Sequence, residues 1–173
     1  MVRPYRADLS PGQYTAVTGA TNNGTGVALV ELYDADGTAA GSRLANIATR
    51  AFVGTGDNIM AAGFVIAGAG NKTLLIRAVG PSLAAFGIEG VLANPQLVLF
   101  RDTEPLLGND DWSSNASAAN TAVAGSQVGA FALPANSKDA ALLVTLPEGA
   151  YTVQVSGVGS ETGVALVEVY EVQ

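Results

Sequence analysis

The sequence predicts an all-β fold, an antiparallel β-sandwich or jelly roll with one or two short helical turns, on three observations. Small and β-branched residues dominate, with 21 Gly beside many Ala, Val and Thr, and such a chain favours strands and tight turns over solvated helices. Short apolar runs recur between clusters of Asn, Gly, Asp and Pro, the punctuation of a sandwich. One stretch of 25 residues occurs twice, and both copies carry strand-like runs. With 49% hydrophobic and only 13% charged residues the chain is no disordered segment, because it holds enough apolar surface to offset the entropy of ordering.

The candidate strands follow in order at 47–53, 59–67, 72–79, 96–101 and 139–146. The longest apolar run, IMAAGFVIAGAG at 59–70, is interrupted by Gly63, Gly68 and Gly70 and is too short to span a membrane. It reads as a buried strand. Two segments favour helical turns: PSLAAF at 81–86, where Pro81 is pre-set for a first turn, and the Ala-rich 115–124.

Residues 9–33, LSPGQYTAVTGATNNGTGVALVELY, align without gaps on 146–170, LPEGAYTVQVSGVGSETGVALVEVY, with 12 identities in 25 positions at an offset of 137. The matches cluster at turn glycines and along one strand, as in a structural repeat. Each copy reads as a hairpin: a glycine turn, a strand with Tyr-Thr, a polar loop, then the strand VALVE and a Tyr. Val164, Leu166 and Val167 cannot share one face, so this last strand is expected at the centre of a sandwich. Two organisations fit the repeat. In one, 38–173 is a full unit and 1–37 is the closing hairpin of a preceding unit in a longer array. In the other, 1–37 is the first hairpin of the same sandwich.

Composition also bounds the chemistry. The chain has no Cys and no His, which removes thiolate nucleophiles, imidazole bases and the usual zinc and copper ligands. Its net charge of −7 repels a phosphate backbone, so nucleic acid is not an expected partner. MVRPYRADLSPG lacks the apolar core of a signal peptide, and any export signal is expected to lie outside this chain.

RAFVGTGDN at 50–58, AGFVIAGAG at 62–70, KTLLIRAVGPSL at 72–83 and TGVALVEVY at 162–170 together resemble a repeat of very large secreted proteins of environmental bacteria. The resemblance covers nearly the whole chain. It implies an extracellular or cell-surface, multidomain parent and lends no catalytic residues. Over 94–170, NPQLVLFRD, GNDDW and LPEGAYTVQVSG are similar to the bacterial pre-peptidase C-terminal sandwich domain, which implies an accessory rather than a catalytic part.

The segment GNDDWSSN at 108–115 gathers oxygen-bearing side chains around the only Trp. Asn109, Asp110 and Asp111, with Asp102 from the neighbouring strand end, are the candidate ligands for calcium, which takes several oxygens from one loop. The loop lacks the Gly and distal Glu of an EF-hand, and the same side chains could satisfy their own backbone as Asx turns. Trp112, Asp111 and Asn115 are the candidate carbohydrate site, a ring face beside hydrogen-bonding groups. GTGDN at 54–58 lacks the Lys and Ser/Thr of a phosphate loop and reads as a turn.

Arg77 falls inside the apolar run LLIRAVG and needs a partner if it faces inward. An ion pair or a carbonyl clamp is expected there. Glu31 and Glu168 hold equivalent places in the two copies, which points to a shared structural role, such as pairing with Arg50 or Arg77, rather than to a catalytic carboxylate pair. The expected function is therefore a non-catalytic structural or adhesive module. Its partners are its own copies or neighbouring repeats, through strand addition at a sheet edge. The alternative is a carbohydrate-binding module for polysaccharide. No cofactor is expected beyond the candidate calcium.

Overall fold

The computed structural model describes residues 6–20, 22, 24–35 and 43–173, and the chain divides into two units, Met1–Leu44 and Ala45–Gln173. The expected boundary between 37 and 38 lies outside the described residues.

The second unit is a sandwich of two four-stranded sheets. Its strands are β1 (Asn46–Val53), β2 (Met60–Ile66), β3 (Lys72–Val79), β4 (Pro95–Arg101), β5 (Glu104–Asn109), β6 (Ala140–Leu146), β7 (Gly149–Gly157) and β8 (Gly163–Val172). One sheet has the order β1-β8-β3-β6 and the other β2-β7-β4-β5, with antiparallel pairing throughout. The all-β sandwich stands as expected. The helical elements are a 3-10 turn at Pro81–Phe86, another at Trp112–Ser114, and α1 (Ala118–Gln127).

Alternation decides which side chains enter the core. Along β7, Tyr151, Val153 and Val155 are buried while Thr152, Gln154 and Ser156 are only partly so, the period of two that places one face inward. They meet Leu97 and Leu99 of β4 and, from the other sheet, Ile76 of β3 and Val167 of β8. Each such aliphatic side chain, fully buried, contributes about 1.5–3 kcal/mol. β3 is buried on both faces: Leu74, Ile76 and Ala78 join the core, while Leu75, Arg77 and Val79 are buried on the other side. Gly125 of α1 lies close over Leu75.

Two expectations are corrected by the topology. The 146–170 copy is not a hairpin, because β7 lies between β2 and β4 in one sheet and β8 between β1 and β3 in the other. The residues Val158–Ser160 are a corner between sheets, with Gly159 left-handed at φ 66°. Among consecutive strands only β4 and β5 pair with each other; every other connection crosses the sandwich. The run at 59–70 is not a buried strand but an edge strand, β2, whose residues alternate, with Val65 exposed. β8 is central, as its two-sided apolar pattern requires.

In the first unit, described residues 6–35 form no strand. Leu9, Tyr14, Val17, Val27, Leu29, Val30, Leu32 and Tyr33 are exposed. Local bonds there include a Tyr14 hydroxyl donating to the Ser10 carbonyl at 2.8 Å and a Tyr33 hydroxyl donating to Glu31 Oε1 at 3.0 Å. Among the described residues no helix is long and apolar enough to cross a membrane.

Candidate functional site

The outer face of the first sheet carries the most chemistry. Arg77 of β3 stands opposite Glu168 of β8 in the ladder, and both are almost wholly buried. Arg77 Nε donates to Glu168 Oε2 at 2.8 Å and Nη1 donates to the Phe131 carbonyl at 2.6 Å. Nη2 lies 2.7 Å from the same Oε2 but makes no directed hydrogen bond, so that contact is electrostatic only. The guanidinium also sits 4.4 Å from the Phe131 ring centre, within cation–π reach. Both roles expected for Arg77, ion pair and carbonyl clamp, are present together.

Tyr170 completes the group by donating its hydroxyl to Glu168 Oε1 at 2.7 Å. Burial, and then the hydrogen bond and charge of Glu168, push its phenol well above the usual 10.0, with Arg77 and the Asn46 side chain opposing. The folded state therefore holds this proton more tightly than the unfolded chain. The resulting stabilisation is complete below about pH 10 and is lost as pH rises from there toward the higher folded value. Tyr170→Phe should flatten the fall in stability that begins near about pH 10, read by urea unfolding on either side of that pH. Equal slopes for variant and parent would remove Tyr170 as the cause.

Beside this group a cavity of about 180 Å³ is lined by Leu75, Arg77, Trp112, Thr121, Phe131 and Leu133, among others. Its walls are mainly apolar, its guanidinium is paired with Glu168, and the Thr121 hydroxyl is buried with no hydrogen-bond partner among the described residues.

Asn109, Asp111 and Asn115 of the 108–115 loop hold neighbouring groups of the fold, while Asp111 Oδ1 is buried without a hydrogen-bond partner. Asn109 Oδ1 accepts from the Ala141 amide at 2.9 Å, and its Nδ2 donates to the Asp111 carbonyl at 3.2 Å. Asn115 Oδ1 accepts from the Ser117 amide at 2.9 Å and the Ser117 hydroxyl at 2.7 Å, an Asx turn. Asp111 Oδ2 accepts from Lys138 Nζ at 2.7 Å, which raises the lysine pKa. Asp110 is exposed. Asp102 occupies the β4–β5 turn with φ 55°, whereas Asn109 pairs with Leu97 at the other end of that hairpin, about 17 Å away at strand rise. The structure thus keeps Asn109, Asp110 and Asp111 neighbours and leaves Asp102 apart. Among the described residues no group of three or more acidic side chains is placed to share a metal ion.

Trp112 is 7% exposed, and its indole N–H donates to the Pro134 carbonyl at 3.0 Å and to Ser137 Oγ at 3.2 Å. Its ring lines the cavity beside Thr121 of α1 and is nearly closed to solvent. The Gly54–Asn58 segment is a backbone-closed turn, with Gly54 N donating to the Asn58 carbonyl at 2.8 Å.

Sequence reading missed Asp139, a fully buried carboxylate. It accepts from the Gly80 amide at 2.8 Å, the Ser82 amide at 3.4 Å and the Ser82 hydroxyl, so it ties the exit of β3 to the start of β6. The available signal was a lone Asp, in SKDAALLV, at the head of an apolar strand. Ser82 and Asp139 have no imidazole between them, the chain having no His.

No family model and no curated protein matches this sequence. A solved structure similar to it is the pre-peptidase C-terminal domain of collagenase from Bacillus anthracis, at 14% identity and a TM-score of 0.43, covering 72% of this chain and 88% of that one.

Proposed function

We propose that the chain is a non-catalytic structural module of a larger secreted or cell-surface protein, adhesive in character, which joins neighbouring modules or copies by strand addition. The observation that carries this reading is the second copy of the β7–β8 sequence at Leu9–Tyr33, strand-forming residues for which the described first unit has no sheet. The charged groups of the sandwich support it, since Arg77, Glu168 and Asp139 are consumed in holding the fold. Extracellular placement is supported by the resemblance of the motifs to a repeat of secreted proteins.

The sandwich offers an edge for such addition. β1 ends one sheet, is exposed along most of its eight residues, and carries Phe52 outward at 65% exposure. An edge of that length with an apolar side chain invites pairing, and the exposed Arg50 midway along it is a charge that the added strand must accommodate. Size exclusion with light scattering across a concentration series should show dimers or larger species, and Phe52→Lys should shift them toward monomer. A monomer at every concentration would remove self-association from the function.

A further inference from the structure

We infer that the cavity over the outer face of the first sheet is a binding site for a small neutral ligand, a single aromatic ring bearing one carbonyl oxygen. The site does not depend on self-association, since no residue of β1 lines it.

Three elements enclose it. Leu75 and Arg77 of β3 form the floor, the Thr121–Ser126 stretch of α1 one wall, and the 130–133 segment the other. Ala122 and Ser126, one helical turn apart, and Ala132 across from them are exposed, so they mark the mouth. The volume of about 180 Å³ exceeds the roughly 150 Å³ of an apolar cavity that takes benzene. Trp112 and Phe131 line it as well, and aromatic side chains favour a ring as their neighbour. Water is the poorer occupant, because each molecule needs about two to four polar partners and these walls are mainly apolar.

Two buried donors of the lining residues lack acceptors. The Thr121 hydroxyl and Arg77 Nη2 make no hydrogen bond among the described residues. A helical threonine commonly gives its hydroxyl to the carbonyl three or four residues back. Thr121 does not, although its amide bonds the Ser117 carbonyl at 2.8 Å. Buried polar groups without partners are few in a native fold and call for a cause. A carbonyl oxygen supplies it here, having two lone pairs to accept with.

Charge decides against an anion. Glu168 Oε2 lies 2.7 Å from Nη2, so the guanidinium is already paired, and an entering carboxylate would meet Glu168 as a like charge. Gly125 adds a separate observation. It is buried within α1, where glycine weakens a helix relative to alanine. A Cβ there would meet Leu75 Cδ2 at 3.9 Å, an ordinary contact, so packing does not call for glycine. What its bare backbone provides is room beside Leu75 on the cavity floor.

The test uses the full chain, isotope-labelled for amide NMR. Trp112 is the only Trp, so its indole N–H gives a single signal from the cavity wall. Acetophenone is expected to shift that signal saturably, and to bind about fivefold more tightly than ethylbenzene, which has a similar shape without the oxygen. Benzoate is expected to bind more weakly than either. Thr121→Val should remove most of the preference for acetophenone over ethylbenzene without lowering the urea midpoint, since the lost hydroxyl had no partner in the free protein. Gly125→Leu, which fills the floor, and Ala122→Phe, which narrows the mouth at an exposed position, should each weaken acetophenone at least about tenfold; if Gly125→Leu does not fold, Ala122→Phe decides. No saturable shift with acetophenone overturns the site, and unchanged affinity in Ala122→Phe overturns its placement. Equal affinity for ethylbenzene overturns the role of the carbonyl oxygen, and tighter binding of benzoate overturns the neutral ligand. A protein that stays monomeric, which ends the self-association reading, leaves each of these outcomes unaffected.

Discussion

Arg77→Met is expected to lower the unfolding free energy of the sandwich by about 3–5 kcal/mol, because it leaves a buried carboxylate without its counter-charge. Glu168 is 5% exposed, and the tyrosine bond to its other oxygen cannot replace a guanidinium. Methionine keeps most of the arginine stem's volume, so the loss reports charge rather than a cavity. The variant also opens the Phe131 carbonyl, whose bond to Nη1 is 2.6 Å. The double variant Arg77→Met/Glu168→Leu should recover most of the loss, since replacing a buried pair by apolar groups of similar size is often neutral or better. Urea midpoints of the parent, both single variants and the double variant close the cycle. Equal damage in Arg77→Met and the double variant would mean that packing, not the unpaired charge, dominates.

Strand positions were legible where runs of strand-forming residues are bounded by turn residues, whether or not the strand is buried, since β1 is exposed along most of its length. β1, β3, β4 and β6 fall within one residue of the runs at 47–53, 72–79, 96–101 and 139–146, because alternation and turn residues are local signals. β5 was invisible because Glu104–Asn109 is an exposed edge strand that contains Pro105, tolerated only where an N–H has no ladder partner. The β7–β8 connection was misread for a different reason. A polar loop of a few residues between two strands has the same composition whether the strands pair side by side or cross between sheets, and only the partners on either side distinguish them. The Arg77–Glu168 pair was half legible: a charge in an apolar run demands a partner, and the repeat singled out the carboxylate. The 108–115 side chains were picked out by residue type alone, which cannot separate oxygens free for a ligand from oxygens already engaged with the Ala141 and Ser117 amides. Trp112 is the clearest case, since a lone Trp beside Asp and Asn reads the same whether its ring faces out or, as here, in.

Asp139→Ala should cost about 3 kcal/mol, the second large effect, through donors left without acceptors in a place water does not reach. The carboxylate is fully buried and receives the Gly80 amide at 2.8 Å, together with the amide and hydroxyl of Ser82. Gly80 is itself buried at the end of β3, so its N–H has no solvent to turn to, and an unsatisfied buried donor costs about 1–3 kcal/mol. Bonds to an ionised acceptor are worth about 1.5–3 kcal/mol each, which is why losing several through one side chain exceeds a typical surface effect. Asp139→Asn discriminates between geometry and charge: its Oδ1 can still accept from Gly80, while its amide nitrogen cannot accept from the Ser82 hydroxyl, so an intermediate loss is expected. Ser82→Ala removes only the hydroxyl partner and should lie below both. Chemical unfolding of the three variants gives the order directly. A loss under about 1 kcal/mol for Asp139→Ala would mean that the 80–82 turn finds other acceptors once the carboxylate is gone, and that the tie between β3 and β6 is dispensable to a sandwich already held by the ladder between those two strands.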